Sequence, residues 1–329
     1  MKLSVLDLAF VGEGETPRDA LDHSLELARH AEALGYERFW LAEHHNMIGI
    51  ASAATSVVIG YIAGGTSTIR VGAGGIMLPN HSPLVIAEQF GTLETLYPGR
   101  IDLGLGRAPG TDQATLRALR RSYESAESFP QDVVELQALL APAAPNQIVR
   151  AVPGAGTNVP IWMLGSSLFG AKLAAMLGLP YAFASHFAPQ ALEQAVAIYK
   201  AEFTPSDALD APYVIAGANV FAADDDAQAA RLATSLQMRF TGMLRGERGL
   251  TKPPIDDIET YWTPGEKRHV QEMMRCSFIG GPESLKHQLK AFADSVPVDE
   301  IIVSSSIYDN TARLHSYEIL ADVAKGIGG

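Results

Sequence analysis

The chain has 329 residues, of which 47% are apolar and 19% charged, with a formal net charge of −12. This is the composition of a well-packed globular protein rather than a disordered one, and the acidic balance excludes nucleic acid and anionic membrane surfaces as partners, since both need concentrated basic surface. The lone cysteine, Cys276, leaves no intrachain disulfide to form and fits a reducing, cytoplasmic setting.

Leu3 to Leu8 reads as a first strand, with no basic segment and long apolar run of the kind that opens a secreted chain. Thr16-Pro17-Arg18-Asp19 starts a helix, with a hydroxyl at the cap and proline in the first turn, and Gly35 stops it after Leu34. Arg38 to Ala42 is the second strand and runs directly into Glu43-His44-His45. Ala51 to Gly64 is a buried helix too short and too polar to span a bilayer, so no membrane association is expected. Ile69 to Met77 is a third strand whose Gly72, Gly74 and Gly75 weaken it unless something must approach the backbone closely. Ser82-Pro83 opens a helix to Leu96, and Ile101 to Gly106 is a fourth strand that delivers Arg107.

The spacing then predicts one extended helical segment from Asp112 to Leu140, with arginines at 117, 120 and 121 on a solvated face, followed by a loop at 141–146. Ile161 to Leu164 is the fifth strand, followed by Gly165-Ser166-Ser167 and a helix through Leu177. Tyr181 to Ser185 is the sixth, ending at His186-Phe187, with a helix from Pro189 to Phe203. Tyr213 to Phe221 is the seventh, and Asp224, Asp225 and Asp226 sit at the next helix start, where carboxylates suit the helix dipole and need no metal. Residues 240–278 show no clear period and read as an irregular insertion, of the kind that serves as a lid or binding loop. Gly281-Pro282-Glu283 opens a helix to Phe292, Glu300 to Ser304 is the eighth strand, and Thr311 to Ala324 the last helix.

Strands alternating with helices at this spacing imply a parallel sheet. Eight such pairs predict a single α/β domain over residues 1–329, a (β/α)8 TIM barrel with the insertion before its last βα unit. A doubly wound sheet is the alternative, but no G-x-G-x-x-G loop follows the first strand.

On the barrel reading, strand ends converge on one mouth and bring together His44, Gly74-Gly75, Arg107, Gly165-Ser166-Ser167 and His186. Adjacent residues alternate in direction, so at most one of His44 and His45 enters a given cavity; His44 is the candidate, and hydrogen-bonded core histidines are an equally open reading. A metal site lacks cysteine partners and H-E-x-x-H spacing and is not expected. Gly165, Ser166 and Ser167 between strand and helix offer backbone N–H groups, hydroxyls and a positive helix end to a phosphate, with simple N-capping as the alternative. Arg107 supplies a matching fork of donors, or else a surface ion pair. Together with the flat glycine surface they point to a phosphorylated planar cofactor. Serine hydrolase chemistry has no G-x-S-x-G elbow to rest on. Phe187, Tyr261, Trp262 and Met243 are candidates for an apolar substrate pocket, with core packing or a dimer contact as the alternative.

Ala42-Glu43-His44-His45, Val71 to Pro79 with His81 and Pro83, Glu88, and Pro98 to Arg107 resemble the bacterial luciferase-like flavin-dependent monooxygenases, and more closely the single-chain oxidoreductases than the light-emitting heterodimers. The resemblance runs essentially end to end, strongest in the N-terminal blocks. It implies a TIM barrel, usually a homodimer, that binds FMN at the strand carboxyl ends, with reduced FMN as cosubstrate supplied by a separate NAD(P)H:flavin reductase. It further implies oxidation of a small organic substrate such as an aldehyde through a flavin C4a-peroxide. In that family pattern His44 assists proton transfer, Gly74-Gly75 is a non-prolyl cis peptide beneath the isoalloxazine, Arg107 and Ser166 contact the phosphate, and 240–278 is a mobile lid. Where luciferases carry cysteine before this arginine the chain has Gly106, so light emission is not expected. Two rival readings stand beside this one: an F420-dependent oxidoreductase on the same barrel, and a non-catalytic flavin-binding relative.

Overall fold

A computed structural model describes residues 1–108 and 112–327. In chain order the elements are β1 (Lys2–Asp7), α1 (Pro17–Leu34), β2 (Arg38–Leu41), α2 (Thr55–Gly65), β3 (Arg70–Met77), α3 (Pro83–Leu96), β4 (Ile101–Gly106), α4 (Gln113–Ala118), α5 (Phe129–Leu140) and β5 (Ile161–Gly165). They continue as α6 (Leu168–Leu177), β6 (Tyr181–Phe183), α7 (Leu192–Glu202), β7 (Val214–Ala222), α8 (Asp226–Leu244), α9 (Pro264–Met273), β8 (Ser277–Gly280), α10 (Pro282–Ser295), β9 (Glu300–Ser304) and α11 (Asn310–Lys325).

All strand pairings are parallel, and β1 pairs with both β2 and β9 while β6 pairs with β7 and β7 with β9. The sheet therefore closes as a ring of eight strands, the (β/α)8 TIM barrel. A strand covered on both faces is mostly apolar, and β7 is buried at every position, Asn219 included. The helices cover the outside, and their ends follow local chemistry. Thr16 and Asp19 form a capping box at the start of α1, and Gly35 ends it in the left-handed region at φ 85°. Asp225 caps α8 by accepting from the Gln228 N–H, while Asp226 accepts from the Gly281 N–H at 2.7 Å.

Leu6, Trp40, Trp162, Ala182, Ile215 and Ile302 fill the barrel interior as one apolar cluster. The two indoles meet edge to face with centroids 5.2 Å apart. Gly74 keeps room for them, because a Cβ there would lie 2.8 Å from Leu6 Cδ1 and 3.0 Å from Trp40 Cβ. At the amino ends of the strands the interior turns ionic. Arg38 donates to Glu300 at 2.8 Å and to Asp102 at 2.9 Å, and Trp40 Nε1 donates to Asp102 at 3.1 Å. This network closes the barrel floor and leaves the carboxyl ends as the open mouth.

The structure revises three boundaries. Asp112 to Leu140 is not one helix but α4, a short 3₁₀ turn at Tyr123–Ala126, and α5. Strand six is short, ending at Phe183 rather than Ser185. Residues 240–278, read as irregular, hold the end of α8, a 3₁₀ turn at Ile258–Thr260, the whole of α9 and half of β8. β8 lies outside the ring and extends it by pairing with the end of β7, from Asn219↔Ser277 to Ala222↔Gly280. The sequence carried one missed signal for α9: Thr263-Pro264-Gly265-Glu266 is a capping box, with both reciprocal bonds present. Among the described residues no helix is long and apolar enough to cross a membrane.

Candidate functional site

Where β2 ends, the chain is clamped to its neighbours before it turns away. Ala42 N–H donates to Asp7 O at 3.1 Å and Glu43 N–H to Gly75 O at 3.2 Å. The Glu43 carboxylate then accepts the Met77 N–H at 2.9 Å. These bonds hold β3 on both sides of Ile76, next to the register shift between Ala73 and Ile76 against β4. A bulge of this kind re-aims the strand at a barrel rim. Gly74 and Gly75 lie within it, and the peptide bond between them is cis, as the resemblance implies.

The alternation expected of the Glu-His-His end is what separates its histidines. Glu43 and His45 share a side and bond to each other at 2.6 Å, whereas His44 lines a cavity at the strand carboxyl ends. Glu43 is buried, yet two imidazoles face it: His81 Nε2 lies 2.9 and 3.0 Å from its oxygens. Burial opposes the Glu43 charge, but the hydrogen bonds from His45 and His81 and the Met77 N–H outweigh it and hold the carboxyl at about 2. His45 is raised by its bond to Glu43 in spite of burial. Glu43, His45 and His81 bring three donor atoms within 4.8 Å of one another; the separations of 2.6 and 2.9 Å are those of charge-assisted hydrogen bonds. The reading of the sequence singled out His44 but not this carboxylate-centred cluster, which needs His81 brought in from beyond β3.

The cavity has a volume of about 650 Å³ and takes in every predicted site residue: His44, Gly74, Gly75, Arg107, and Gly165, Ser166 and Ser167. His186 joins them from the turn after β6; burial and the neighbouring His44 push its pKa down to about 4. Phe187, Tyr261 and Met243 line the cavity as well, whereas Trp262 packs in a separate core cluster with Phe240 and Leu236.

The donor set fits a phosphate and a flat apolar ring. Ser167 is the N-cap of α6, and its side chain makes no capping bond, so the helix start is not closed off by its own cap. Arg107 is exposed at the rim, its guanidinium 4.0 Å from the centre of the Phe169 ring, and no carboxylate pairs with it among the described residues. The inner wall by contrast is glycine and aliphatic carbon, including Leu6, Leu8, Ala42 and Leu164. A phosphate-tailed planar cofactor such as FMN suits this division: Arg107 and the start of α6 would hold the phosphate, Gly74 and Gly75 would lie against the ring, and His44 would face it.

The chain is similar to known proteins along most of its length. Residues 1–299 match the family model described as luciferase-like monooxygenase. A luciferase-like monooxygenase of Escherichia coli K12 is 53% identical over 327 residues, covering 99% of this chain and 98% of the relative. An N-acetyl-S-alkylcysteine monooxygenase of Bacillus subtilis is 32% identical over 330 residues, covering 98% of each. Among solved structures, apo-MsnO8 superposes with a TM-score of 0.87 at 36% identity, covering 98% of both chains. The same fold, at 15% identity and 99% coverage of this chain against 98% of the other, occurs in the FMN complex of the oxygenating constituent of a Pseudomonas putida 3,6-diketocamphane monooxygenase (TM-score 0.72) and in an F420-dependent secondary alcohol dehydrogenase (TM-score 0.71).

Proposed function

From the premise that this chain belongs to the luciferase-like monooxygenase family, we propose that it is an FMN-dependent monooxygenase that uses reduced FMN and dioxygen to oxidise a small organic substrate. The observation that carries the proposal is the convergence of His44, the Gly74–Gly75 bulge, Arg107 and the Gly165–Ser167 turn on one cavity. Reduced FMN, when bound, supplies the electrons that activate dioxygen. The chain's own residues do the rest. Arg107 and the start of α6 anchor the phosphate. The aliphatic wall excludes water. His44 holds or moves a proton at the mouth, with His186 beside it kept neutral by burial.

The described chain has no nicotinamide-binding G-x-G-x-x-G turn of its own, and on this reading a separate NAD(P)H:flavin reductase supplies the reduced FMN. The segment from the end of α8 to β8 contributes Gly246 to Leu250, Lys252 and Tyr261 to the cavity wall and is positioned to act as a lid.

The test is a titration of the purified protein with FMN and, in parallel, with the deazaflavin F420, followed by oxygen uptake with reduced FMN and a panel of candidate substrates. Micromolar FMN binding with substrate-dependent product above a reductase-only control is expected. Binding of F420 in place of FMN would instead make the protein a deazaflavin oxidoreductase, and FMN binding without product on any substrate would make it a non-catalytic flavoprotein.

A further inference from the structure

A second cationic feature lies across the ring from the expected phosphate anchor: Arg239 is on the helix after β7 and packs on Phe10 after β1, whereas Arg107 and Ser166 follow β4 and β5. α8 turns Leu236, Arg239, Phe240 and Met243 toward the cavity, a helical stripe that is apolar except for one guanidinium. Arg239 stacks 4.5 Å from the centre of the Phe10 ring and donates to the Thr251 hydroxyl at 3.3 Å. Among the described residues no carboxylate lies within ion-pair distance of it. Of the other long cations on the wall, Arg107 is the expected phosphate anchor, Arg248 pairs with Asp112 at 3.0 Å, and Lys252 donates to the Tyr261 hydroxyl at 3.1 Å. Among the described wall residues Arg107, Arg239 and Lys252 stand against a single acid, Glu247, with Arg248 balanced by Asp112, in a chain of net charge −12. With Arg107 given to the phosphate, Arg239 and Lys252 still outnumber Glu247, an excess of positive charge that a neutral substrate does not call for.

We propose that Arg239 is the substrate anchor and that the substrate is an organic carboxylate with an apolar body, its carboxylate held by the Arg239 guanidinium and the Thr251 hydroxyl, and its carbon chain laid along Phe10, Phe240 and Met243. This rests on the monooxygenase reading and names the substrate class for the same cavity. An unpaired guanidinium on an apolar wall is costly to keep charged, and burial pulls its pKa down to about 10; it nevertheless remains cationic at neutral pH. A planar carboxylate matches the fork of donors that guanidinium presents, and pairing would restore the charge balance that burial disturbs. Phosphate is better served at the other end of the cavity, where a helix start adds its N–H groups to Arg107.

The experiment compares octanoate with octanamide, two probes that differ at the head group and share the same chain. Calorimetric titrations are run on the parent protein, Arg239→Met and Arg239→Lys, each with and without saturating FMN. Octanoate is expected to bind the parent at least about 10-fold more tightly than octanamide. Arg239→Met should erase that preference while FMN affinity stays as in the parent, and Arg239→Lys, which keeps the charge on a flexible stem, should retain part of it. Equal binding of the two probes to the parent, no binding of either, or an unchanged preference in Arg239→Met would overturn the proposal. So would a loss in Arg239→Met of FMN affinity rather than octanoate affinity, since the guanidinium would then belong to the cofactor. If Arg239→Met does not fold, judged by circular dichroism, Arg239→Gln takes its place with the same expectations. Failure of the flavin reading registers separately, as absence of FMN binding to the parent, while the octanoate preference is still measured on the FMN-free protein.

Discussion

Nε2 of His45 lies 2.6 Å from the carboxylate of Glu43, and that carboxylate also accepts the backbone N–H of Met77. Through this one buried group the end of β2 is tied to β3 immediately after the glycine pair. Glu43 thus positions the platform without reaching the cavity.

The pair makes stability depend on pH, and the sign follows from its two shifts. Glu43 is held at about 2, below the roughly 4.3 of an unfolded glutamate, so its contribution is present above about pH 4.3 and disappears as pH falls toward 2. His45 is raised above the roughly 6.5 of an unfolded histidine, so its contribution is complete below about pH 6.5 and disappears as pH rises through the folded value. His45→Gln should therefore cost about 1.5 kcal/mol at pH 6, and progressively less from pH 6 to pH 9 as the parent loses the ion pair too. Urea denaturation at the two pH values measures this. A cost that does not change between them would mean that the imidazole is uncharged in the folded protein.

Arg107→Ala should weaken FMN binding by roughly 10- to 100-fold, the worth of a charge-assisted bond to a phosphate. Arg107→Lys should recover only part, because a point charge does not reproduce the guanidinium fork or its stacking on Phe169. Fluorescence titration of FMN gives both values. Unchanged affinity in Arg107→Ala would leave the residue as a rim cation stacked on an aromatic ring.

How far the sequence revealed this site depends on whether each signal is local. His44 was legible because an apolar strand running into ionisable residues marks a sheet rim, and the Gly165–Ser167 turn because a strand, a Gly-Ser-Ser and a helix are contiguous. The barrel itself followed from the repeating alternation. β8 and α9 were hidden for opposite reasons: β8 is four residues long, too short for periodicity, and α9 buries only Val270, so it shows no apolar stripe. The Glu43 cluster and Arg239 were not legible at all. Both depend on partners, His81 in one case and Phe10 with Thr251 in the other, that only tertiary folding brings together.

His44→Ala should bind FMN as the parent does and lose roughly 100-fold or more in monooxygenation, the usual contribution of a positioned acid or base. His186→Asn is the informative companion. His186 is pushed down to about 4, so it is neutral across the range above about pH 5 and supplies no titrating proton there. The pH profile of turnover between 5 and 8 should therefore survive His186→Asn and change shape in His44→Ala. Parental turnover in His44→Ala would remove that imidazole from the chemistry.

The barrel floor gives the largest expected effect on stability. Burial works against the Arg38 charge, but Asp102 and Glu300 overcome it and keep the guanidinium more firmly protonated than an ordinary arginine. Two carboxylates with almost no solvent exposure depend on it, with side chains only 1% and 0% accessible. Arg38→Met would leave Glu300 buried without its countercharge and Asp102 with Arg70 alone, and removing one partner of a buried ionic group costs about 3–5 kcal/mol. Most of that cost is the stranded negative charge rather than the lost attraction. The triple substitution Arg38→Met, Asp102→Asn, Glu300→Gln should for that reason be more stable than Arg38→Met alone, even though it has fewer of the native groups. Urea midpoints of the parent, single and triple variants order the three, and a triple variant no better than the single one would show that geometry, not uncompensated charge, sets the cost of opening the floor.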